Sequence, residues 1–311
     1  MPARTAHDWS PDGPDLVVHA ENTEYLPSLP DGSFTMVYVD PPFNTGRKQS
    51  RQQTKMVRAQ AGDGDRIGFK GASYSTVRGT LSSYDDAFED YWLFLEPRLR
   101  EAWRLLAEDG TLYLHLDYRE VHYAKVMLDA IFGRECFLNE IIWAYDYGAR
   151  AKNRWPAKHD NILVYVKDPS RYHYDAAAVD REPYMAPGLV TPEKAALGKL
   201  PTDVWWHTIV SPTGKEKTGY PTQKPEGVLR RIVAASSRPG DWVLDFFAGS
   251  GTTGAVAAAL GRRYVCVDAN PEAIDVMRRR LAHAEHRAYG SAGIVAAPTT
   301  SERPVSSTLR G

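Results

Sequence analysis

Cysteine is scarce in this chain: Cys136 and Cys266 are the only two in 311 residues. They lie far apart, which excludes a disulfide framework or a cysteine-based metal site and suits a reducing compartment such as the cytoplasm. No apolar run approaches the roughly 20 residues needed to span a bilayer, so no membrane role is expected. The opening stretch "MPARTAHDWSPDGPDL" has no apolar centre behind a positive flank, so no secretory leader is expected. A net charge of −1 gives no global sign of a polyanionic partner. What is present is ordinary for a soluble globular protein: 43% hydrophobic and 25% charged residues, enough for a sizeable core.

The basic residues are clustered. Arg47, Lys48, Arg51, Lys55, Arg58, Arg66 and Lys70 face only Asp63 and Asp65 between residues 47 and 70, and "ARAKNRWPAK" gathers Arg150, Lys152, Arg154 and Lys158 around Trp155. Such runs are either solvated surface or a local nucleic-acid contact.

Short apolar runs alternate with helical periodicity. "LVVHA" (16–20), "FTMVYV" (34–39), "TLYLHL" (111–116), "FLNEIIWAY", "NILVYVK", "DWVLDF" and "RYVCVD" read as strands. The spacing of Phe88, Trp92, Leu95, Leu99, Trp103 and Leu106 predicts an amphipathic helix containing Pro97. Helices are also expected over "VHYAKVMLDAIF", "PEGVLRRIVAASS", "TTGAVAAALG" and "PEAIDVMRRRLAHAEH". Residues 47–83 show no clear period and read as a long loop or a segment ordered by a ligand. This alternation predicts an α/β fold with a largely parallel sheet.

Two motifs carry chemistry. In "VYVDPPFNTG" a strand ends on Asp40, followed by Pro41, Pro42 and Phe43. Each proline fixes its own φ and pushes the preceding residue out of the helical region. The result is a stiff row of carbonyl acceptors beside a carboxylate and a flat ring, suited to an amino group on a flat molecule. In "DFFAGSGTTG" Gly249, Gly251 and Gly254 follow a strand and open a helix, and Asp268 closes the next strand. That context supports a site for an adenosine-bearing cofactor, whether NAD, FAD or S-adenosylmethionine.

The two motifs together, with "SYDDAF", "NEIIWAY", "HDNILVYVK", "DVWW" and "YPTQKPEGVL", resemble the beta class of S-adenosylmethionine-dependent DNA amino-methyltransferases, from about residue 16 to 284. The resemblance implies a Rossmann-like methyltransferase fold: a mostly parallel seven-stranded sheet with helices on both faces, catalytic motif first and cofactor motif last. It implies S-adenosyl-L-methionine as cofactor, held by Asp245, Phe247, Ala248, Gly249, Ser250, Gly251 and Thr252. Asp268 would hold the ribose, Thr222 and Lys224 the methionine end, and Glu21 the adenine, where relatives commonly carry Gly-Asp and this chain has Ala20-Glu21.

It further implies that the Asp40 carboxylate and Pro41 carbonyl accept hydrogens from an exocyclic amine of a flipped base stacked on Phe43. The partner is then double-stranded DNA, gripped by Arg47, Lys48, Arg51, Lys55, Arg150, Lys152, Arg154, Trp155 and Lys158. A homodimer and a cognate restriction endonuclease are compatible further partners; no metal is expected. An aspartate opening the Pro-Pro motif leans to N6 of adenine over N4 of cytosine. RNA methylation and a catalytically idle regulator are the competing readings. His115 and Asp117 read as structural or as lining the site, His159 and Asp160 as positional, and Trp205 and Trp206 as core or interface. The expected layout is an extension over 1–15, a methyltransferase domain over 16–288 with DNA-contact loops near 47–83 and 145–220, and a disordered tail over 289–311.

Overall fold

The computed structural model describes residues 9–44, 91–148, 150–211 and 213–282, and the backbone alone of 49–58, 66–67, 73–84, 286–290 and 295–296. In chain order the elements are β1 (Asp15–His19), α1 (Asn22–Tyr25), β2 (Phe34–Val39), β3 (Gln49–Arg58), β4 (Arg66–Ile67), β5 (Ser73–Tyr84), α2 (Tyr91–Leu105), β6 (Leu106–Leu116), α3 (Val121–Phe132) and β7 (Phe137–Ala144). They continue as β8 (His159–Val166), α4 (Pro192–Leu197), β9 (Val204–Trp206), α5 (Glu226–Ser236), β10 (Trp242–Asp245), α6 (Thr252–Ala259), β11 (Arg263–Asp268), α7 (Pro271–Arg280), β12 (His286–Gly290) and β13 (Val295–Ala296).

Ten strands form one sheet in the order β13-β12-β1-β11-β10-β2-β6-β8-β7-β9. The six from β12 to β6 are mutually parallel, β8 runs against both neighbours, and β13 runs against β12. The expected seven strands are the run from β1 to β7; β12 and β13 extend one edge and β9 the other. The additions were hidden because a helix read to His286 and a tail read from Tyr289 leave only Arg287 and Ala288 of β12 between them, although α7 ends at Arg280, and because "VWW" is only three residues long. Within the expected tail, Tyr289, Gly290, Val295 and Ala296 lie in strands; its other residues fall outside the described ones.

Burial on both faces explains why the central strands read as continuous apolar runs. In β2, Phe34, Val37 and Val39 enter one core with Leu95 and Leu99 of α2 and Leu128 of α3. Met36 and Tyr38 enter the other, with Leu229 of α5, Val256 of α6 and Met277 of α7. In the expected N-terminal extension, residues 1–8 lie outside the described ones and Trp9 packs onto the sheet, its ring 5.6 Å from Phe34 and 5.3 Å from Trp242. The α2 helix runs through Pro97, and Trp92, expected on its apolar face, is exposed.

The segment read as a loop over 47–83 contains an antiparallel hairpin. β3 pairs with β5, and β4 adds to β5 as a separate three-stranded sheet. Neither "QSRQQTKMVR" nor "SYSTVRGTLSSY" alternates apolar with polar residues, so the period that announces a half-buried strand is missing. The Thr, Tyr and Val content of β5 is the signal that was there to read.

Candidate active site

The functional geometry follows from one register. β10 pairs with β2 in parallel, with Asp245 beside Tyr38. The chain leaving β2 at Asp40 and the chain leaving β10 into the glycine turn therefore emerge side by side, at the carboxyl ends of adjacent parallel strands where open α/β sheets bind ligands.

The glycine turn is held from several sides. Gly249 and Gly251 have φ of 50° and 71°, a region that L side chains rarely adopt. A Cβ on Gly254 would sit 2.8 Å from Cys266 Sγ, so the absence of a side chain there lets α6 lie directly against β11. The Gly249 amide donates to Asp268 Oδ2 at 2.8 Å, and Asp268 Oδ1 accepts from the Asn270 amide at 2.8 Å. Burial raises the Asp268 carboxyl above its ordinary value despite these two donors. Asp245 is deeper: it accepts from the Phe247 amide and the Thr253 hydroxyl, and burial, aided by the charges of Asp40 and Asp268, pushes it up to about 7. Arg280 of α7 ties the turn down, donating to Thr252 Oγ1 at 2.9 Å and to Glu226 of α5 at 2.8 Å.

On the other strand, Asp40 is half-buried and its carboxylate receives the Lys224 ammonium, at 2.7 Å to Oδ1 and 2.5 Å to Oδ2. The same ammonium lies 4.9 Å from the Phe43 ring centroid. The Pro42 carbonyl accepts from Tyr91 Oη at 2.7 Å, which pins the proline segment to α2.

Behind it stands a buried polar chain. Tyr38 Oη lies 2.7 Å from His115 Nδ1, His115 Nε2 lies 3.2 Å from Asp160 Oδ2, and Tyr145 donates to Asp160 Oδ1 at 3.0 Å. The Phe43 and Trp143 rings pack on the His115 imidazole at 5.9 and 5.6 Å. Burial and the Asp40 charge hold the Tyr38 phenol well above its usual value, so it stays protonated beside Nδ1. Burial alone would raise Asp160, but His115, Lys224 and Tyr145 more than reverse it and leave it below the ordinary range.

One cavity of about 430 Å³ is lined by the Asp40–Phe43 segment, the glycine turn and Tyr38, while His115 and Asp160 are not among its lining residues; the volume is typical of small-molecule sites, which run to roughly 300–1,000 Å³. All four expected catalytic residues line it, as do Glu21, Thr222, Lys224, Asp245, Phe247, Ala248, Gly249, Ser250, Thr252 and Asp268. Gly251 instead caps α6 at the cavity's edge. Sequence reasoning missed Asn22, Phe94, Arg98, Tyr220 and Asn270, which also line it. Asn22 follows Glu21 directly and donates to the Phe246 carbonyl, and Arg98 donates to Asn22 Oδ1 at 2.7 Å. Asn22 and Tyr220 adjoin motif residues in sequence, and that proximity was a usable signal. Phe94 and Arg98 sit on α2 with no local signature.

The candidate DNA-contact residues divide. Arg150, Lys152, Arg154 and Trp155 are exposed, with Trp155 at 95%. Lys158 is instead ion-paired with Asp146. Arg47 and Lys48 lie outside the described residues, and Arg51 and Lys55 are on β3, whose side chains are likewise outside them. Trp205 is buried and Trp206 exposed. Among the described residues no helix is long and apolar enough to cross a membrane.

The sheet order, the glycine turn and the Asp-Pro-Pro-Phe segment on one cavity define a methyltransferase architecture, and comparison with known proteins gives the family. The DNA methylase profile covering N6 and N4 amino-methyltransferases matches residues 34–279, and the chain belongs to that family. It is accordingly a DNA methyltransferase with S-adenosyl-L-methionine as methyl donor.

Among its relatives, the DNA adenine methyltransferase YhdJ of Escherichia coli K12 is 31% identical over 279 residues, 87% of this chain and 83% of that one. The type II methyltransferase M2.DpnII of Streptococcus pneumoniae is 29% identical, over 86% of this chain and 89% of that one. Among solved structures, the PvuII cytosine-N4-specific DNA methyltransferase shares the fold at a TM-score of 0.59, with 16% identity over 86% of each chain. The M1.HpyAVI complex with S-adenosylmethionine does so at 0.54, with 20% identity over 86% of this chain and 98% of that one.

The residues present suit the cofactor. The cavity offers the amide-rich start of α6, the carboxylates of Glu21 and Asp268 for sugar or adenine donors, the faces of Phe94 and Phe247, and a cation in Lys224.

Proposed function

We propose that the protein methylates N6 of adenine at specific sites in double-stranded DNA. The observation that carries this reading is the placement of Asp40, Pro41, Pro42 and Phe43 at the end of β2, on the same cavity as the glycine turn after β10. When bound, S-adenosyl-L-methionine supplies a sulfonium methyl group open to attack by a nitrogen lone pair.

The chain's own part is to prepare that nitrogen. An exocyclic amine is a poor nucleophile because its lone pair is delocalised into the ring. Asp40 Oδ and the Pro41 carbonyl accept its two hydrogens, which draws the nitrogen toward tetrahedral geometry and frees the lone pair. The prolines and the Tyr91 bond to Pro42 keep these acceptors aimed, so little reorganisation is needed during transfer. Phe43 offers a face for the flipped base, and the packing of His115 behind it fixes its plane.

Glu21, Asp268, Thr222, Lys224 and the glycine turn hold the cofactor. The exposed Arg150, Lys152, Arg154 and Trp155, with the hairpin of β3 and β5, grip the strand, and site recognition resides in these inserts. The aspartate opening the Pro-Pro motif and the name of the Escherichia coli relative both favour adenine over cytosine. The type II names among the relatives favour a cytoplasmic modification enzyme with a cognate endonuclease, working alone or as a homodimer.

The test is transfer of radiolabelled methyl from S-adenosylmethionine to DNA and, separately, to RNA, by the native protein and by Asp40→Ala. Label in DNA only, abolished by the substitution while S-adenosylhomocysteine still binds, is the expected result. Label in RNA only, or activity untouched by the substitution, would refute the proposal.

A further inference from the structure

The acceptor that the reaction requires is already taken. Both oxygens of Asp40 are held by the Lys224 ammonium, at 2.7 and 2.5 Å, in a pair whose side chains are only 15% and 12% exposed. The same ammonium sits over the Phe43 ring, 4.9 Å from its centroid. One cation thus covers both the carboxylate meant for the target amine and the face meant for the base. An ammonium resembles the amine in offering N–H donors to Asp40, but it is charged and attached to the protein.

We propose that Lys224 is an exchangeable plug. In the unliganded protein it caps Asp40; with cofactor present its ammonium turns to the carboxylate at the amino-acid end of S-adenosylmethionine and uncovers Asp40 and Phe43 for the flipped base. This proposal rests on the methyltransferase reading above. Target capture then depends on cofactor through one side chain, and a base entering an empty enzyme meets a blocked site.

The anchoring of Lys224 supports side-chain exchange over loop motion. Its carbonyl accepts from Thr252 Oγ1 at 3.1 Å, so its backbone is fastened to the first residue of α6 beside the glycine turn. Gln223 before it is fixed as well, accepting from the Thr218 amide and hydroxyl and donating to the Glu216 carbonyl. Only the four-carbon stem is left to move, and lysine carries a compact charge on a flexible stem. Arg98, the other basic side chain lining the cavity among the described residues, is committed elsewhere: Nε to Asn22 Oδ1 at 2.7 Å and Nη1 to the Phe94 carbonyl at 2.6 Å.

Competition between two carboxylates for one cation has a thermodynamic signature that needs no DNA: removing one must strengthen the hold on the other. Calorimetric titration would compare S-adenosylhomocysteine with 5′-methylthioadenosine, which lacks the amino-acid end, on the native protein, Asp40→Asn and Lys224→Met. The expected result is that Asp40→Asn binds S-adenosylhomocysteine about 5-fold or more tighter, the lower end of ordinary coupling between sites. Lys224→Met binds it about 10-fold more weakly, and neither substitution alters binding of 5′-methylthioadenosine, which also reports that the fold is intact.

The proposal is overturned if Asp40→Asn leaves S-adenosylhomocysteine affinity unchanged or shifts both ligands alike. It is equally overturned if Lys224→Met keeps the native preference for the amino-acid end, which would place that carboxylate on Arg98. Failure of the native protein to bind S-adenosylhomocysteine at all would remove the methyltransferase reading and this proposal with it.

Discussion

Replacing Asp245 with Asn removes a carboxyl that folding obliges to hold its proton. Asp245 ends β10 almost without solvent contact, and burial lifts it from an ordinary 3.8 to about 7. An acid raised on folding binds more protons in the folded chain than in the unfolded one between those two values. Its favourable contribution is therefore fully present below about pH 4 and is lost as pH rises through about 7. The gap from 3.8 to about 7, at about 1.4 kcal/mol per pH unit, sets a total of about 4 kcal/mol.

The amide keeps the local bonds: its oxygen accepts from the Phe247 amide as Oδ1 does now, and its NH2 donates to the Thr253 hydroxyl that faces Oδ2. The assay is thermal unfolding of both proteins in steps from pH 4.5 to 8, read as the difference between them so that titrations common to both cancel. At about 2 °C per kcal/mol for a chain of this size, the native protein should lose several degrees relative to the variant across that range. A difference independent of pH, or a native protein that gains on the variant as pH rises, would refute the reasoning.

Other substitutions probe the remaining supports. Gly251→Ala should destabilise by about 2–4 kcal/mol in urea unfolding, since φ is 71° and the new Cβ would stand 2.7 Å from Met277 Cγ; a loss under about 0.5 kcal/mol would show that the turn relaxes freely. His115→Ala leaves Tyr38 and Asp160 without their shared partner and opens space behind Phe43. It should cost about 2–5 kcal/mol and slow methyl transfer, and unchanged stability would mean that the buried chain is dispensable. Trp155→Ala with Arg154→Ala should weaken DNA binding and flatten its salt dependence while leaving S-adenosylhomocysteine affinity and melting temperature as they were. DNA affinity equal to the native at every salt concentration would remove this segment from the interface.

What the sequence made legible was mostly local. β2 was bounded at Phe34–Val39 because a parallel strand buried on both faces is an unbroken apolar run, and its end was marked by the aspartate and prolines that cannot continue it. The glycine turn was legible because positive φ and close helix approach both select for the absence of a side chain. Convergence was not legible. Phe94 and Arg98 reach the cavity from a helix that reads as an ordinary amphipathic one, and Lys224 meets Asp40 across 184 positions of chain. The hairpin of β3 and β5 escaped because its residues carry no apolar alternation, the signal on which strand reading depends. The same weakness concealed the outer strands: β9 is short and lies at one edge, and β12 is short and lies next to the two-residue edge strand β13 at the other, where burial no longer demands a long apolar run.

The central claim is that the geometry around Asp40 activates an adenine amine. Its most direct test is to incubate the native protein with S-adenosylmethionine and unmethylated genomic DNA, digest to nucleosides and quantify methylated bases by mass spectrometry, with Asp40→Ala as control. N6-methyladenine from the native protein and none from the variant is the predicted result. N4-methylcytosine, or no methylated base from a native protein that binds S-adenosylhomocysteine, would contradict it.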